Sequence, residues 1–329
     1  MRAISNNGSI GGRATGTRLA VRATVHVAPS EPQHVTHKPA SFINAKVNYI
    51  QPSAHGEELY AYLYEKPESV SKVTNLEHVE IEVPMTDLRT IEDKKGRFTL
   101  HDNGFQLEQL HVPSDIDWTN NAEVAARYYP RVADLLKRVA GASRVHIFDH
   151  TIRMGSARSV KAAQADPDPR GKPVSRVHVD YTVKSGPERL QAVLPDEAER
   201  LMKTPFAVIQ VWRPLRGPVD ESPLGMIDAS SVAKEDLLPY TLHFPGRTGY
   251  NYAAKHNPEH RWYYAKGINT DEAYVFVCYD SRDGRARFTP HTGFKDPTTS
   301  PDAPQRQSVE TRAYVFWEHE PEQDIAQTL

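Results

Sequence analysis

The stretch RVHVDYT, residues 176–182, alternates polar and apolar side chains along its length. Successive side chains on a β-strand point to opposite faces, so His178 and Asp180 share one face while Val177 and Val179 share the other. An imidazole and a carboxylate that converge in this way are candidate metal ligands. The stretch therefore predicts a β-strand with an apolar face and a candidate metal-binding face.

The His-x-Asp pair alone is weak evidence for a metal, because two His-x-Glu pairs also occur, at 55–57 and 78–80. A polar pair without a ligand is the alternative. A third candidate ligand, His291, lies far downstream in the strand-like sequence FTPHTGF (288–294). Two ligands on one strand and a third on a distant strand form the arrangement that holds Fe(II) and leaves three adjacent positions open. A bidentate 2-oxo acid and O₂ can occupy those positions, so His178, Asp180 and His291 are the predicted metal ligands.

A candidate anion site follows in RQSVETR, residues 306–312. On a strand Arg306, Ser308 and Arg312 share one face. A guanidinium beside a hydroxyl suits the distal carboxylate of 2-oxoglutarate, because the pair is charge-assisted and often bidentate. Glu310 lies on the same face and neutralises one arginine in the alternative interpretation. Which of the two arginines holds the carboxylate stays open at this point.

The rest of the chain indicates a mainly β fold with flanking helices. Many short strand-like segments separated by Pro, Gly, Asn and Asp occupy the second half, which is typical of an antiparallel sandwich or barrel. Residues 119–143 predict the longest helix, capped by Thr119 or Asn120 and ended by Gly141. A second helical stretch is predicted at 57–65, and two short helices at 186–192 and 195–203.

The first 30 residues contain four arginines and no acidic residue, together with many glycines and serines. We expect residues 1–30 to form a disordered tail, because the glycines disfavour an amphipathic helix; an organelle transit peptide is the alternative. Residues 31–329 are predicted to form one domain.

The composition limits the partners and the location of the protein. A net charge of −2 gives no reason to expect nucleic acid as a partner. No apolar run is long enough for a membrane helix. The single cysteine, Cys278, cannot form an internal disulfide, which fits a reducing compartment and a cytoplasmic location.

Aromatic side chains are the candidates for a substrate pocket. Tyr181, Trp212, Tyr252 and Trp262 lie in or next to predicted strands. Some of them could line an apolar pocket for a small molecule. The alternative is that they are core residues, as most aromatic residues in strands are.

Several motifs resemble the fungal and bacterial hydroxylase/desaturase family of secondary metabolism, which includes the gibberellin desaturase, aspergillic-acid-type hydroxylases and relatives of cephamycin 7α-methoxylase components. They are VHVDYT, VWRPLRGPVDESPLGMID, HRWYYAKGINTDEAYVFVCYDS, PHTGFKDP and RQSVETRAYVFW. They occur in this order over roughly residues 140–318. The resemblance implies a double-stranded β-helix, or jelly-roll, oxygenase that uses Fe(II), 2-oxoglutarate and O₂. It assigns the metal to His178, Asp180 and His291, and the 2-oxoglutarate carboxylate to Arg306 with Ser308 or Arg312.

The resulting hypothesis is a dioxygenase that hydroxylates or desaturates an unactivated C–H position of a small, largely apolar secondary metabolite. A non-catalytic jelly-roll subunit that binds a metabolite or a partner enzyme is the alternative. A metal-dependent enzyme on a similar barrel that needs no 2-oxo acid is a further one. By analogy with other jelly-roll enzymes, the protein could form a homodimer.

Overall fold

The structure, a computed structural model, describes residues 41–53, 56–64, 66–91, 98–154 and 174–321, together with the backbone of 159–161. The predicted disordered tail over residues 1–30 lies outside the described residues.

Most of the regular structure is β-strand. The strands are β1 (Phe42–Ile50), β2 (Leu59–Tyr62), β3 (His78–Asp87), β4 (Phe105–Gln109), β5 (Arg144–Met154), β6 (Ser159–Lys161), β7 (His178–Val179), β8 (Phe206–Pro214), β9 (Leu224–Ile227), β10 (Leu237–Phe244), β11 (Arg247–Ala254), β12 (Trp262–Tyr264), β13 (Glu272–Asp280), β14 (His291–Gly293) and β15 (Gln307–Phe316). The helices are α1 (Asn121–Glu123), which continues through a π-helical turn (Val124–Tyr128) into α2 (Tyr129–Ala140), then α3 (Ser185–Val193) and α4 (Ala198–Leu201). Short 3-10 turns occur at Leu88–Thr90, Ala229–Ser231 and Lys234–Asp236.

The strands of the described residues form two sheets. The nine-stranded sheet has the order β1-β3-β12-β9-β14-β7-β11-β10-β2, and the six-stranded sheet has the order β4-β13-β8-β15-β5-β6. Neighbouring strands are antiparallel, except that β2 runs parallel to β10 and β3 runs parallel to β12. This is the mainly β architecture that the sequence predicts.

Strand β8 shows how the sequence divides the core between two layers. Val208 and Trp212 pack in the cluster between the two sheets, where they meet residues of the nine-stranded sheet such as Met226. Ile209 and Val211 point the other way and pack in the cluster that includes α2. Because the period of a strand is two, Gln210 also faces the space between the sheets, where it is fully buried.

The longest predicted helix is confirmed at both ends. The Asn120 side chain accepts hydrogen bonds from the backbone N–H groups of Ala122 and Glu123, at 3.1 and 3.3 Å. Gly141 ends α2 with a φ of 64°, in the left-handed region that favours glycine. The two short helices predicted further on are present as α3 and α4. None of the described helices is long and apolar enough to cross a membrane.

The prediction of a helix at 57–65 is wrong, because this stretch contains strand β2 instead. Leu59 and Ala61 alternate into the core, and β2 pairs with β10 through residues 59–62. Pairing with a distant strand and burial on one face outweigh the local helical pattern.

We predict that Gly104→Ala lowers the free energy of unfolding by about 3 kcal/mol, as the sum of a left-handed alanine and an overpacked contact. Gly104 has a φ of 81°, and a Cβ at this position would collide with Thr289 Oγ1. That hydroxyl donates a 2.8 Å hydrogen bond to the Gly104 carbonyl. Chemical denaturation measures the loss.

Gly141→Ala is the matched control, because Gly141 also has a positive φ but a Cβ there would meet no heavy atom within 4 Å. It should lose only about 1–2 kcal/mol, the cost of the left-handed backbone. Equal losses in the two variants would contradict the assigned contact with Thr289.

Candidate active site

The two candidate histidines lie on neighbouring strands of the nine-stranded sheet. Strand β7 pairs antiparallel with β14, and His178 lies directly opposite His291. The centres of the two imidazole rings are 4.5 Å apart. Both residues are buried, with exposed fractions of 7% and 4%. Strand pairing therefore brings together two residues that are distant in the sequence.

Each imidazole is oriented by a backbone carbonyl two residues before it. His178 Nδ1 lies 2.8 Å from the Arg176 carbonyl oxygen, and His291 Nδ1 lies 2.9 Å from the Thr289 carbonyl oxygen. A carbonyl can only accept a hydrogen bond, so both Nδ1 atoms carry the proton. Nε2 is therefore the atom through which each ring, when neutral, can bind a metal ion.

Asp180 completes the group of donor atoms just beyond the end of β7. One donor atom from each of His178, Asp180 and His291 lies within 4.8 Å of the others. Asp180 Oδ1 is 3.2 Å from His178 Nε2. Two lone-pair atoms this close repel each other unless a cation lies between them, either a proton or a metal ion. Two imidazole nitrogens and one carboxylate are the donor set of the 2-His-1-carboxylate iron site, so the residues present fit a ferrous ion.

The electrostatics of the site favour the forms that bind a metal. Burial, together with the nearby His178, lowers the pKa of His291 to about 4, so this imidazole is neutral at ordinary pH. Burial raises the pKa of the Asp180 carboxyl, but the hydrogen bond with His178 and the positive charges around it outweigh burial and hold this pKa below its usual range. Metal ligands must be deprotonated, and both groups satisfy that condition.

Arg312, one of the two candidate anion anchors, is engaged by protein groups on every guanidinium nitrogen. Its Nε lies 2.6 Å from Asp149 Oδ1, and its Nη1 lies 2.6 Å from Glu310 Oε1. Its Nη2 donates to Thr151 Oγ1 at 2.8 Å. Nη1 is also 3.8 Å from Asp180 Oδ2, so the positive charge of Arg312 stabilises the Asp180 carboxylate, the acidic member of the triad His178, Asp180 and His291.

Arg306, the other candidate anion anchor, has a guanidinium nitrogen without a hydrogen-bond partner among the described residues. It is 6% exposed, its Nη1 donates to the Ser222 carbonyl at 2.5 Å, and its Nε is buried with no partner among the described residues. The guanidinium carbon lies 5.3 Å from the centre of the Trp212 ring. Burial, together with the positive charge of Arg153, lowers the pKa of Arg306 to about 9. A buried cation with an unused donor is what an anionic ligand requires.

Two cavities meet at the triad. The inner cavity, of about 90 Å³, is lined by His291, Arg306 and Trp212 among others, and the outer cavity, of about 300 Å³, is lined by Tyr181 among others. His178 and Asp180 line both cavities, so the candidate metal site forms their common wall.

Two of the predicted pocket aromatics lie elsewhere. Tyr252 is 3% exposed and packs edge-on against Phe288, and Trp262 is 1% exposed and donates a 2.9 Å hydrogen bond from Nε1 to the Tyr49 hydroxyl. Neither lines the inner or the outer cavity. Both fill the core between the sheets, which is the alternative that the sequence left open. Ser308 is buried on β15 and is not among the residues that line either cavity.

Comparison with known proteins identifies the family. The model of a family described as "Oxidoreductase/YMDC permease-like domain" matches residues 47–316. The hydroxylase/desaturase efuI of Hormonema carpetanum is 32% identical over 296 residues, which are 84% of this chain and 95% of efuI. The chain belongs to the hydroxylase/desaturase family.

A second relative adds a solved structure. The Fe(II)/2-oxoglutarate-dependent dioxygenase nvfI of Aspergillus novofumigatus is 29% identical to this chain. The aligned residues are 84% of this chain and 97% of nvfI. The structure of a variant of the iron and alpha-ketoglutarate-dependent endoperoxidase NvfI covers 85% of this chain and 98% of its own, with a TM-score of 0.75 and 26% identity. These similarities confirm the predicted family, the jelly-roll fold class and the catalytic hypothesis over the non-catalytic one.

Gln210 is a site residue whose role the sequence did not reveal. Its Nε2 donates to Asp180 Oδ2 from strand β8 of the opposite sheet. A glutamine within the otherwise apolar run FAVIQVW (206–212) was the available signal, because a buried amide needs a polar partner. Gln210 therefore orients the Asp180 carboxylate from the opposite sheet, across the core of the hydroxylase/desaturase.

We predict that Gln210→Leu weakens metal binding about tenfold or more, because residues that orient a ligating carboxylate typically contribute that much to affinity. Co(II), a visible-absorbing substitute for Fe(II), gives the dissociation constant by titration. Thr311→Val is the control, because Thr311 is fully buried on the neighbouring strand β15 and lines neither cavity. Equal Co(II) affinity in the wild type and Gln210→Leu would contradict the role of Gln210 in orienting Asp180.

Proposed function

We propose that this hydroxylase/desaturase binds Fe(II) through His178, Asp180 and His291. With 2-oxoglutarate and O₂ it hydroxylates or desaturates an unactivated C–H position of a small, largely apolar metabolite. The observation that carries the proposal is the meeting of the three donor atoms within 4.8 Å, in a buried site with both Nδ1 protons tied to carbonyls. When bound, ferrous ion and 2-oxoglutarate would supply, with O₂ as the oxidant, the chemistry that removes hydrogen from such a bond.

The side chains of this chain contribute position rather than proton transfer. The strand pairing of β7 and β14 fixes the angle between the two imidazoles. Gln210 and Arg312 hold the second carboxylate oxygen of Asp180 from two directions. A ligand set that is held before the metal arrives does not have to be ordered during the reaction.

Arg306 is the proposed anchor for the distal carboxylate of 2-oxoglutarate. Its free Nε and its place in the wall of the inner cavity support this role, whereas every guanidinium nitrogen of Arg312 already has a protein partner. The inner cavity, of about 90 Å³, suits a small dicarboxylate better than a metabolite. Ser308 lines neither cavity, so its contact with that carboxylate stays a prediction from the sequence.

The outer cavity is the proposed substrate site. Its volume of about 300 Å³ lies at the lower end of the range for small-molecule pockets. Tyr181, Tyr240, Leu242 and Tyr250 give it an apolar wall. Hydroxylation and desaturation differ in which hydrogens of the substrate face the metal, so both stay within the proposal. The homodimer and the cytoplasmic location stay predictions from the sequence.

The test is anaerobic titration of the Fe(II) protein with 2-oxoglutarate, because a metal-chelated 2-oxo acid absorbs in the visible. We expect the band in the wild type and its loss in His178→Ala. Arg306→Gln should need about 30-fold more 2-oxoglutarate to reach half of the band, which corresponds to a lost charge-assisted hydrogen-bond pair of about 2 kcal/mol.

Arg312→Gln is the matched variant for the anchor. It should change 2-oxoglutarate affinity less than Arg306→Gln and should weaken Co(II) binding more. Arg312 also lines the inner cavity, but its guanidinium is already paired with Asp149 and lies 3.8 Å from Asp180 Oδ2. If Arg312→Gln instead lowered 2-oxoglutarate affinity more than Arg306→Gln did, Arg312 would be the residue that holds the distal carboxylate. A wild type that shows no band and forms no succinate with O₂ would refute the proposed function.

A further inference from the structure

The outer cavity has more positive than negative side chains in its wall. Five arginines and three carboxylates line it: Arg153, Arg176, Arg189, Arg247 and Arg312, against Asp149, Asp180 and Glu188. A cavity for a purely apolar substrate has no need of this charge, because covering a charged group with an apolar ligand removes its water without replacing it.

The three carboxylates are already engaged. Asp149 pairs with Arg312 at 2.6 Å, and Glu188 lies 3.9 Å from Lys184, the residue that precedes α3. Asp180 belongs to the triad. No carboxylate of the described cavity wall therefore forms an ion pair with Arg189 or Arg247.

Arg189 and Arg247 come from different elements, α3 and β11, and have no carboxylate within ion-pair distance among the described residues. Each is held by an aromatic ring instead. The Arg189 guanidinium carbon is 5.4 Å from the Phe148 ring centre, and that of Arg247 is 3.7 Å from the Phe244 ring centre. Ring contacts orient a guanidinium while its N–H groups stay available.

The two guanidinium groups line the same cavity and carry the same charge. Burial, together with the positive charge of Arg189, lowers the pKa of Arg247. Groups whose pKa is shifted by burial and by a neighbouring like charge cluster at functional sites, where a ligand can supply the opposite charge. The rest of the wall is largely apolar and includes Leu63, Val174, Ala192 and Leu242.

We propose that Arg189 and Arg247 form a subsite for a carboxylate carried by an otherwise apolar substrate. The subsite rests on the proposed function, in which the outer cavity takes the substrate. It is distinct from the Arg306 anchor, which lines the inner cavity. The carboxylate fixes one end of the substrate at the arginine pair, so that the apolar skeleton extends past Tyr181 toward the triad.

The experiment measures binding rather than turnover. The probes are dehydroabietic acid and naphthalene-2-acetic acid, two rigid apolar acids, each compared with its methyl ester. Calorimetric titration is carried out anaerobically on the protein loaded with Fe(II) and 2-oxoglutarate, so that the metal is already chelated. We expect the wild type to bind at least one acid about tenfold or more tightly than its ester, as a charge-assisted pair implies.

Arg189→Gln and Arg247→Gln should each reduce that preference to about threefold or less, because one of two charge-assisted contacts is lost, while the affinity for the ester stays nearly unchanged. Arg131→Gln is the matched control, because Arg131 is exposed on α2 and lines neither cavity. It should keep the preference of the wild type.

Three results would overturn the subsite. They are a wild type that binds neither acid more tightly than its ester, a preference that survives in both variants, or variants that lose 2-oxoglutarate affinity instead. The visible band of chelated 2-oxoglutarate, recorded for every variant, reports separately on the proposed function and on folding. A normal band without acid preference refutes only the subsite, and a missing band in the wild type refutes the proposed function.

Discussion

The antiparallel pairing of β7 with β14 is the constraint on which the rest of the site depends. It places His178 opposite His291, although the two residues are far apart in the sequence. Because each Nδ1 is tied to a carbonyl of its own chain segment, both rings present Nε2 to the same point. Asp180 reaches that point because it follows β7 directly. A shift of either strand by one residue would turn a ligand to the opposite face of the sheet.

The arginines around the candidate metal site lie in three different environments. Arg312 is surrounded by carboxylates and stabilises Asp180, whereas Arg306 is buried beside Trp212 with an unused nitrogen. Arg189 and Arg247 face the outer cavity on aromatic rings. The partner of each guanidinium, rather than its distance in sequence from the triad, is the reason for assigning a structural role to Arg312 and for proposing ligand-binding roles for the others.

Alternation of polar and apolar residues predicted the strands, and the two histidines with the aspartate could be selected as ligands before their geometry was known. The sequence could not choose between Arg306 and Arg312, because both share a strand face and only tertiary contacts show which is already paired. It could not separate Tyr181 and Trp212, which line the cavities, from core aromatic residues. The arginine pair of the outer cavity was also beyond the sequence, because a helix and a distant strand meet there only in the folded chain.

Anomalous diffraction at the iron edge from anaerobic crystals soaked with Fe(II) tests the central claim most directly. The account predicts one iron peak at bonding distance from Nε2 of His178, Nε2 of His291 and a carboxylate oxygen of Asp180, with Gln210 still hydrogen-bonded to the other oxygen. An iron peak that lacks His291 as a ligand, or that binds either histidine through Nδ1, would contradict the account.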